Sequence, residues 1–207
     1  MEKKDRKEAR KKILDILQTA TDYLLLGLLA FLCSLPVITL GASATAFYAA
    51  GLKMQNGEGG ALYSMFFSTF RSSFKRSTLL WLPFFLLILL LFGNFVFYFY
   101  MAGNGAVWAQ FGLGACFAVG LFLSLAGSFL FPLLAADETL RGIEAAKFSL
   151  YAAGKNLHWW LVKTALQLAL LILIWFVPFL IVFAPGVLLY CNTRLIRRVL
   201  PTIFPEN

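Results

Sequence analysis

From Ser77 to Ala136 the chain has no lysine, arginine, aspartate, glutamate or histidine. Charge is scarce throughout, at 14% of 207 residues against 60% hydrophobic ones, and the mean hydropathy is +0.79. A water-soluble domain carries about a quarter charged residues, so this balance points to a membrane protein. The uncharged run can hold two spans of about 20 residues and a turn, far more than a buried core helix. Histidine occurs once, at His158, and the three cysteines, Cys33, Cys116 and Cys191, fall in apolar segments. Their spacing makes neither a disulfide framework nor a zinc pattern, so packed free thiols and no metal are expected. The chain also lacks a P-loop, a Rossmann glycine pattern and a zinc-protease motif. No catalytic residue and no cofactor are assigned, and the chain is not expected to be an enzyme.

What charge there is has the net value +8, and its placement decides its meaning. Seven basic residues lie in "MEKKDRKEARKK"; others follow at Lys53, Arg71, Lys75, Arg76, Arg141, Lys147, Lys155, Lys163, Arg194, Arg197 and Arg198. They flank apolar runs as cytoplasmic loop charges do, and no nucleic-acid motif accompanies them. The expected partner is the lipid bilayer, not nucleic acid. The positive-inside rule makes the N-terminus cytoplasmic in a multi-pass protein of the cell membrane. It also puts Lys53 to Arg76 and Asp137 to Lys155 inside and the uncharged turn near Gly103 outside.

The whole chain, 1–207, reads as one membrane domain. Residues 1–12 form a basic arm and 13–54 a broken helical hairpin, followed by the flexible turn "QNGEGG". Residues 63–76 are amphipathic, with Tyr63, Phe67, Phe70 and Phe74 at helical spacing and Ser64, Arg71, Ser72 and Lys75 off that stripe. Such a helix suits a bilayer interface or a partner protein. Spans follow at 78–100 and 107–134, then an amphipathic cytoplasmic segment at 138–155, a span at 159–183 and a short C-terminal helix at 186–200. "FSTF" at 67–70 and "FSLY" at 148–151 each precede a tryptophan-bearing span, a weak internal echo.

The break in the first hairpin is the segment most in need of explanation. "CSLPVITLGASATAFY" brings Pro36, Thr39, Gly41, Ser43 and Thr45 into an otherwise apolar run. Residues 42–53 would reach only about 18 Å as a helix, against a hydrocarbon core of about 30 Å. Broken backbone is tolerated in a membrane where protein buries it or water reaches it. Three readings compete: a hairpin whose tip is packed structurally, a discontinuous helix lining a solute path, and a cleaved signal peptide. Asp15 and Asp22, between the basic arm and the apolar core, disfavour the last.

Those same residues, Cys33 to Tyr48, resemble the N-terminal signature of the YesL-like bacterial membrane proteins, a family of unknown function. The resemblance continues through "FFSTFRSSFKRSTLL" and "FPLLAADETLRGIEAAKFSLYAAGKN". It implies an integral membrane protein whose opening motif is retained. Members of that family are often encoded beside carbohydrate importers and glycan-degrading enzymes, which implies a role near sugar uptake. "IEAAKFSLYAAG" also loosely resembles the cytoplasmic coupling loop of importer permeases, with Glu144, Ala145 and Ala146 matching its Glu-Ala-Ala triplet. Its glycine departs from that pattern, since position 150 is Leu150 and Gly154 comes later.

Elsewhere, structural roles suffice. His158 beside Trp159 and Trp160 reads as an interface residue. Asp137 and Glu138 could form a proton-coupling pair, but their position at the end of a span favours a helix-capping or surface role. The expected fold is an all-α polytopic membrane bundle of about four to six membrane segments, with the broken hairpin and two amphipathic interfacial helices. The expected function is an accessory or regulatory component of carbohydrate uptake, contacting importer subunits through Phe67, Phe70, Phe74 and Glu144. A small secondary transporter with a path along Pro36, Thr39, Gly41, Ser43 and Thr45, or a structural membrane protein, are the alternatives.

Overall fold

A computed structural model describes residues 2–57, 62–137, 140, 142–177 and 184–203. These residues form an all-α polytopic membrane protein with no strand among them. Helix α1, Glu2–Ser34, runs to the proline break, a single 3-10 turn at Val37–Thr39 follows, and α2, Leu40–Gln55, returns. Pro36 is extended, at φ −73° and ψ 115°. A proline pushes the preceding residue out of the helical region and supplies no amide to the ladder. Helix α2 ends at Gly57, whose φ of 81° suits glycine at a helix C-terminus.

Helix α3, Leu62–Gly103, then runs unbroken for 42 residues and contains Pro83. The amphipathic segment 63–76 and the span 78–100, expected as separate elements, are therefore one continuous helix, about 63 Å along its axis. Nothing between Arg76 and Thr78 breaks a helix, and Ser77 is packed inside the bundle. A turn through Gly105, with φ 84°, leads to α4, Trp108–Ser128. The 107–134 span is interrupted at Phe129, after which α5 covers Leu130–Ala136.

Helix α6 is Gly142–Lys155, α7 Leu157–Phe176 and α8 Ala184–Ile203. The last part of the expected 159–183 span, residues 178–183, lies outside the described residues. Among the described residues, five segments are long and apolar enough to cross a membrane: Ile13–Ser34, Val37–Gln55, Leu62–Gly103, Trp108–Ala136 and Leu157–Phe176. Helix α8 is not among them. It is amphipathic, burying Leu189, Asn192, Thr193 and Ile196 and exposing Arg194, Arg197 and Arg198.

Two cores hold the helices together. One joins Tyr23, Leu26 and Ala30 of α1 to Ala46 and Ala50 of α2, Phe66 of α3 and Leu189 of α8. The other gathers Phe129, Leu130, Leu133 and Leu134 with Leu140, α6 alanines and Trp160. Small residues bring the backbones close. A Cβ on Gly27 would lie 2.5 Å from the Gly186 nitrogen, so α1 and α8 touch backbone to backbone.

Helices α3 and α4 run antiparallel, and added Cβ atoms at Gly112 and Gly127 would strike the rings of Tyr98 and Phe84. Arg76 ties the second core to α3. Its guanidinium donates to the carbonyls of Leu134 at 2.7 Å, Asp137 at 3.3 Å and Leu140 at 3.3 Å. It thereby supplies donors where α5 ends and its last carbonyls leave the helical ladder.

Candidate functional site

Proline 36 breaks the ladder, and the hydroxyls that follow rebuild it. Thr39 Oγ1 lies 2.6 Å from the Cys33 carbonyl and 2.7 Å from that of Pro36, so its one proton closes the turn locally. Ser43 reaches across the hairpin and donates to the Ala30 carbonyl at 2.8 Å. Thr45 Oγ1 is 3.0 Å from the Gly41 carbonyl and 2.9 Å from Ser77 Oγ. Donation from Ser77 to Thr45 and from Thr45 to Gly41 satisfies both protons. Ser43, Thr45 and Ser77 are buried, so each of these bonds is made away from solvent.

Gly41 lets α3 approach. A Cβ there would stand 2.6 Å from Trp81 Cβ and 2.7 Å from the Ser77 carbonyl oxygen. Trp81 completes the join by donating its Nε1 proton to the Val37 carbonyl at 2.8 Å. All five residues of the break are therefore brought together at one junction of α1, α2 and α3. Chemically this junction is a set of satisfied hydrogen bonds around close backbone contacts. Around it, Leu35, Val37 and Ile38 face outward from the bundle.

The aromatic stripe of α3 divides. Tyr63, Phe67 and Phe74 are exposed, whereas Phe70 is half-buried against the first core, stacked on Phe66 at 6.1 Å. The inward face of that segment is Leu62, Phe66, Ser73 and Ser77, at spacings of four, seven and four. Serine at positions 73 and 77 keeps this face slim, a small-xxx-small signal present in the sequence but masked by the louder aromatics.

Glu144 lies on the exposed side of α6, in line with Lys147, Phe148 and Tyr151. The opposite side, Ala145, Ser149, Ala152 and Ala153, is buried. Lys155 extends the exposed stripe with its ammonium 5.9 Å from the Tyr151 ring centre.

Sequence reasoning found no partner for several further polar groups. Ser77 and Trp81 complete the break, and Arg76 holds the end of α5. Lys163, buried in α7, donates to the Ser128 carbonyl at the end of α4 and lies 5.5 Å from the Phe129 ring centre. Between α2 and α8, Gln55 donates to Thr193 at 2.6 Å while Arg197 donates to the Gln55 carbonyl at 3.0 Å. The "CNTR" interruption of α8's apolar face is the only sequence sign of that pairing.

An open groove of about 540 Å³ lies between α1 and α8, bordered by Asp15, Thr19, Tyr23, Gly186 and Tyr190. Tyr23 and Tyr190 meet edge to face there, 5.3 Å apart. Among the described residues, no group of three His, Cys, Asp or Glu side chains is placed to hold a metal ion.

No curated protein and no solved structure matches this chain. Residues 23–95, which carry the break, its partners on α3 and the first part of the apolar half of α3, match the family described as "Protein of unknown function, DUF624".

Proposed function

We propose that this protein is an accessory component of a membrane complex, inserted in the cell membrane with its basic side in the cytoplasm. It docks a partner through the exposed stripe of α6, and the partner is a carbohydrate importer. The observation that carries the docking role is the two-sided character of α6. Small residues anchor it to α4 and the second core, while Glu144, Lys147, Phe148 and Tyr151 are displayed together. A mixed aromatic and charged stripe of this kind has the composition of a protein-contact surface.

The choice of importer rests on the resemblance to YesL-like proteins and on the Glu144–Ala146 triplet. The DUF624 match agrees with that family. In this reading the protein performs no catalytic step, and its broken helix is a structural joint, since every hydroxyl of the break is engaged within the bundle.

Affinity purification of the tagged protein from its native membrane in mild detergent tests the reading. Stoichiometric recovery of an importer's permease and ATPase subunits is expected from the parent protein. A Glu144→Lys, Tyr151→Ser variant should insert normally and lose most of that recovery. Undiminished recovery with the variant removes α6 as the contact, and recovery of the protein alone, even after crosslinking, removes the accessory role.

A further inference from the structure

We propose that the α1–α2 hairpin does not cross the bilayer. It lies on the basic side of the membrane, and its apolar tip stops among the lipid chains of the leaflet on that side. The tip is fixed to α3 at Trp81, by the Trp81–Val37 hydrogen bond of 2.8 Å and by the close contact of Gly41 with Trp81 and Ser77. From Trp81, α3 continues for 22 residues to Gly103, about 33 Å of helix and one full hydrocarbon thickness of about 30 Å.

Helix α4 accompanies that half, meeting it at Phe84 with Gly127, at Leu91 with Gly120 and at Tyr98 with Gly112, and α5 adds Phe131 against Trp81. Trp81 stands at one end of this uncharged hairpin and Tyr98, Tyr100 and Trp108 at the other, as aromatic belts do at the two interfaces. A membrane-crossing hairpin would carry its tip up to Tyr98. Instead α2 runs the other way along α3, from Ser77 to Phe66, beside the half that holds Arg71, Lys75 and Arg76.

Both halves of α3 cannot share the lipid. Fitting about 63 Å of helix into about 30 Å needs a tilt of about 60°, beyond the range of up to about 40° that membrane helices adopt. The half with three cations is the one left outside the hydrocarbon. Lipid is the occupant of the tip because Leu35, Val37 and Ile38 are 65%, 45% and 57% exposed. Leu79 and Leu82, on either side of Trp81 in α3, are exposed as well. Length and hydropathy make Ile13–Ser34 and Val37–Gln55 candidate spans, but the contacts of their shared tip set their depth.

Naming the basic side cytoplasmic rests on the orientation proposed above; the position of the tip relative to the two ends of α3 does not. Single cysteines are placed by Ile38→Cys, Asn104→Cys or Lys53→Cys in a protein whose three native cysteines are serine. Each is treated with an impermeant maleimide in intact cells and in inverted vesicles. Asn104→Cys and Lys53→Cys should label from opposite faces, and an inverted orientation merely exchanges them. From the face that labels Asn104→Cys, Ile38→Cys should show no labelling above the cysteine-free protein; labelling from that face overturns the proposal. Where Ile38→Cys is shielded from both faces, a fluorophore installed there in the purified protein and spin-labelled lipid confined to one leaflet decide. Quenching from the leaflet nearer Lys53 supports the proposal, and quenching from the leaflet nearer Asn104 overturns it.

Discussion

At the scale of single residues, this protein concentrates its specificity in a few polar groups set among apolar ones. Arg76 is the clearest case, because one planar guanidinium serves three carbonyls from different parts of the α5–α6 connection. Its fork of fixed donors suits that task, whereas a lysine ammonium is a point charge. Arg76→Met should lower the stability of the detergent-solubilised protein by on the order of 2 kcal/mol, the scale of hydrogen bonds to a charged group. Arg76→Lys should recover only part of it. Thermal unfolding of the three proteins side by side checks the order.

Glycine 41 offers a second test. Gly41→Ala places a methyl 2.6 Å from Trp81 Cβ, while Gly93→Ala, in the lipid-exposed half of α3, meets nothing within 4 Å. The first should sharply reduce the monodisperse yield by size exclusion and the second should leave it unchanged or raise it. Because Gly41→Leu would unpack the joint outright, loss of a transport activity in that variant would say nothing about a path. Ser43→Ala is the milder probe of that alternative, since it removes one hydroxyl and adds no bulk.

At the scale of elements, the sequence signals and the helices agree at three breakers, although α3 continues through Pro83. Pro36 ends α1, Gly57 ends α2 and the turn at Gly105 ends the hairpin of α3 and α4. They disagree at Ser77, where a change from amphipathic to wholly apolar composition looks like a boundary yet no residue interrupts the helix. Composition changed because the surroundings change, from a polar interface to lipid, while the backbone ran on. The aromatic stripe misled for a related reason. Phe66 and the serines at 73 and 77 form the packed face, and the more conspicuous Tyr63, Phe67 and Phe74 face outward.

The Thr45–Ser77 pair is the side-chain hydrogen bond that links α2 to α3, and a double-mutant cycle measures it. Thr45→Val, Ser77→Ala and the double variant should show a coupling of about 0.6 to 1.7 kcal/mol, the range for buried polar pairs between membrane helices. Additive effects in thermal unfolding would mean that the two hydroxyls do not support each other.

At the scale of the whole molecule, the sequence by itself determined the class: an all-α membrane protein, with long uncharged runs, basic flanks and a break at Pro36. These follow from local chemistry, because a run of apolar side chains must leave water and a proline must leave the helical ladder. It also exposed the five residues of the break as a group. Only the tertiary structure decided what they are joined to. Thr45 meets Ser77 across 32 positions, Gln55 meets Thr193 across 138, and no periodicity within a helix encodes such a partner. Depth in the membrane was likewise beyond the sequence. Hydropathy measures how long an apolar run is, whereas the level at which a helix sits depends on which neighbour it packs against, and here that neighbour is the charged half of α3.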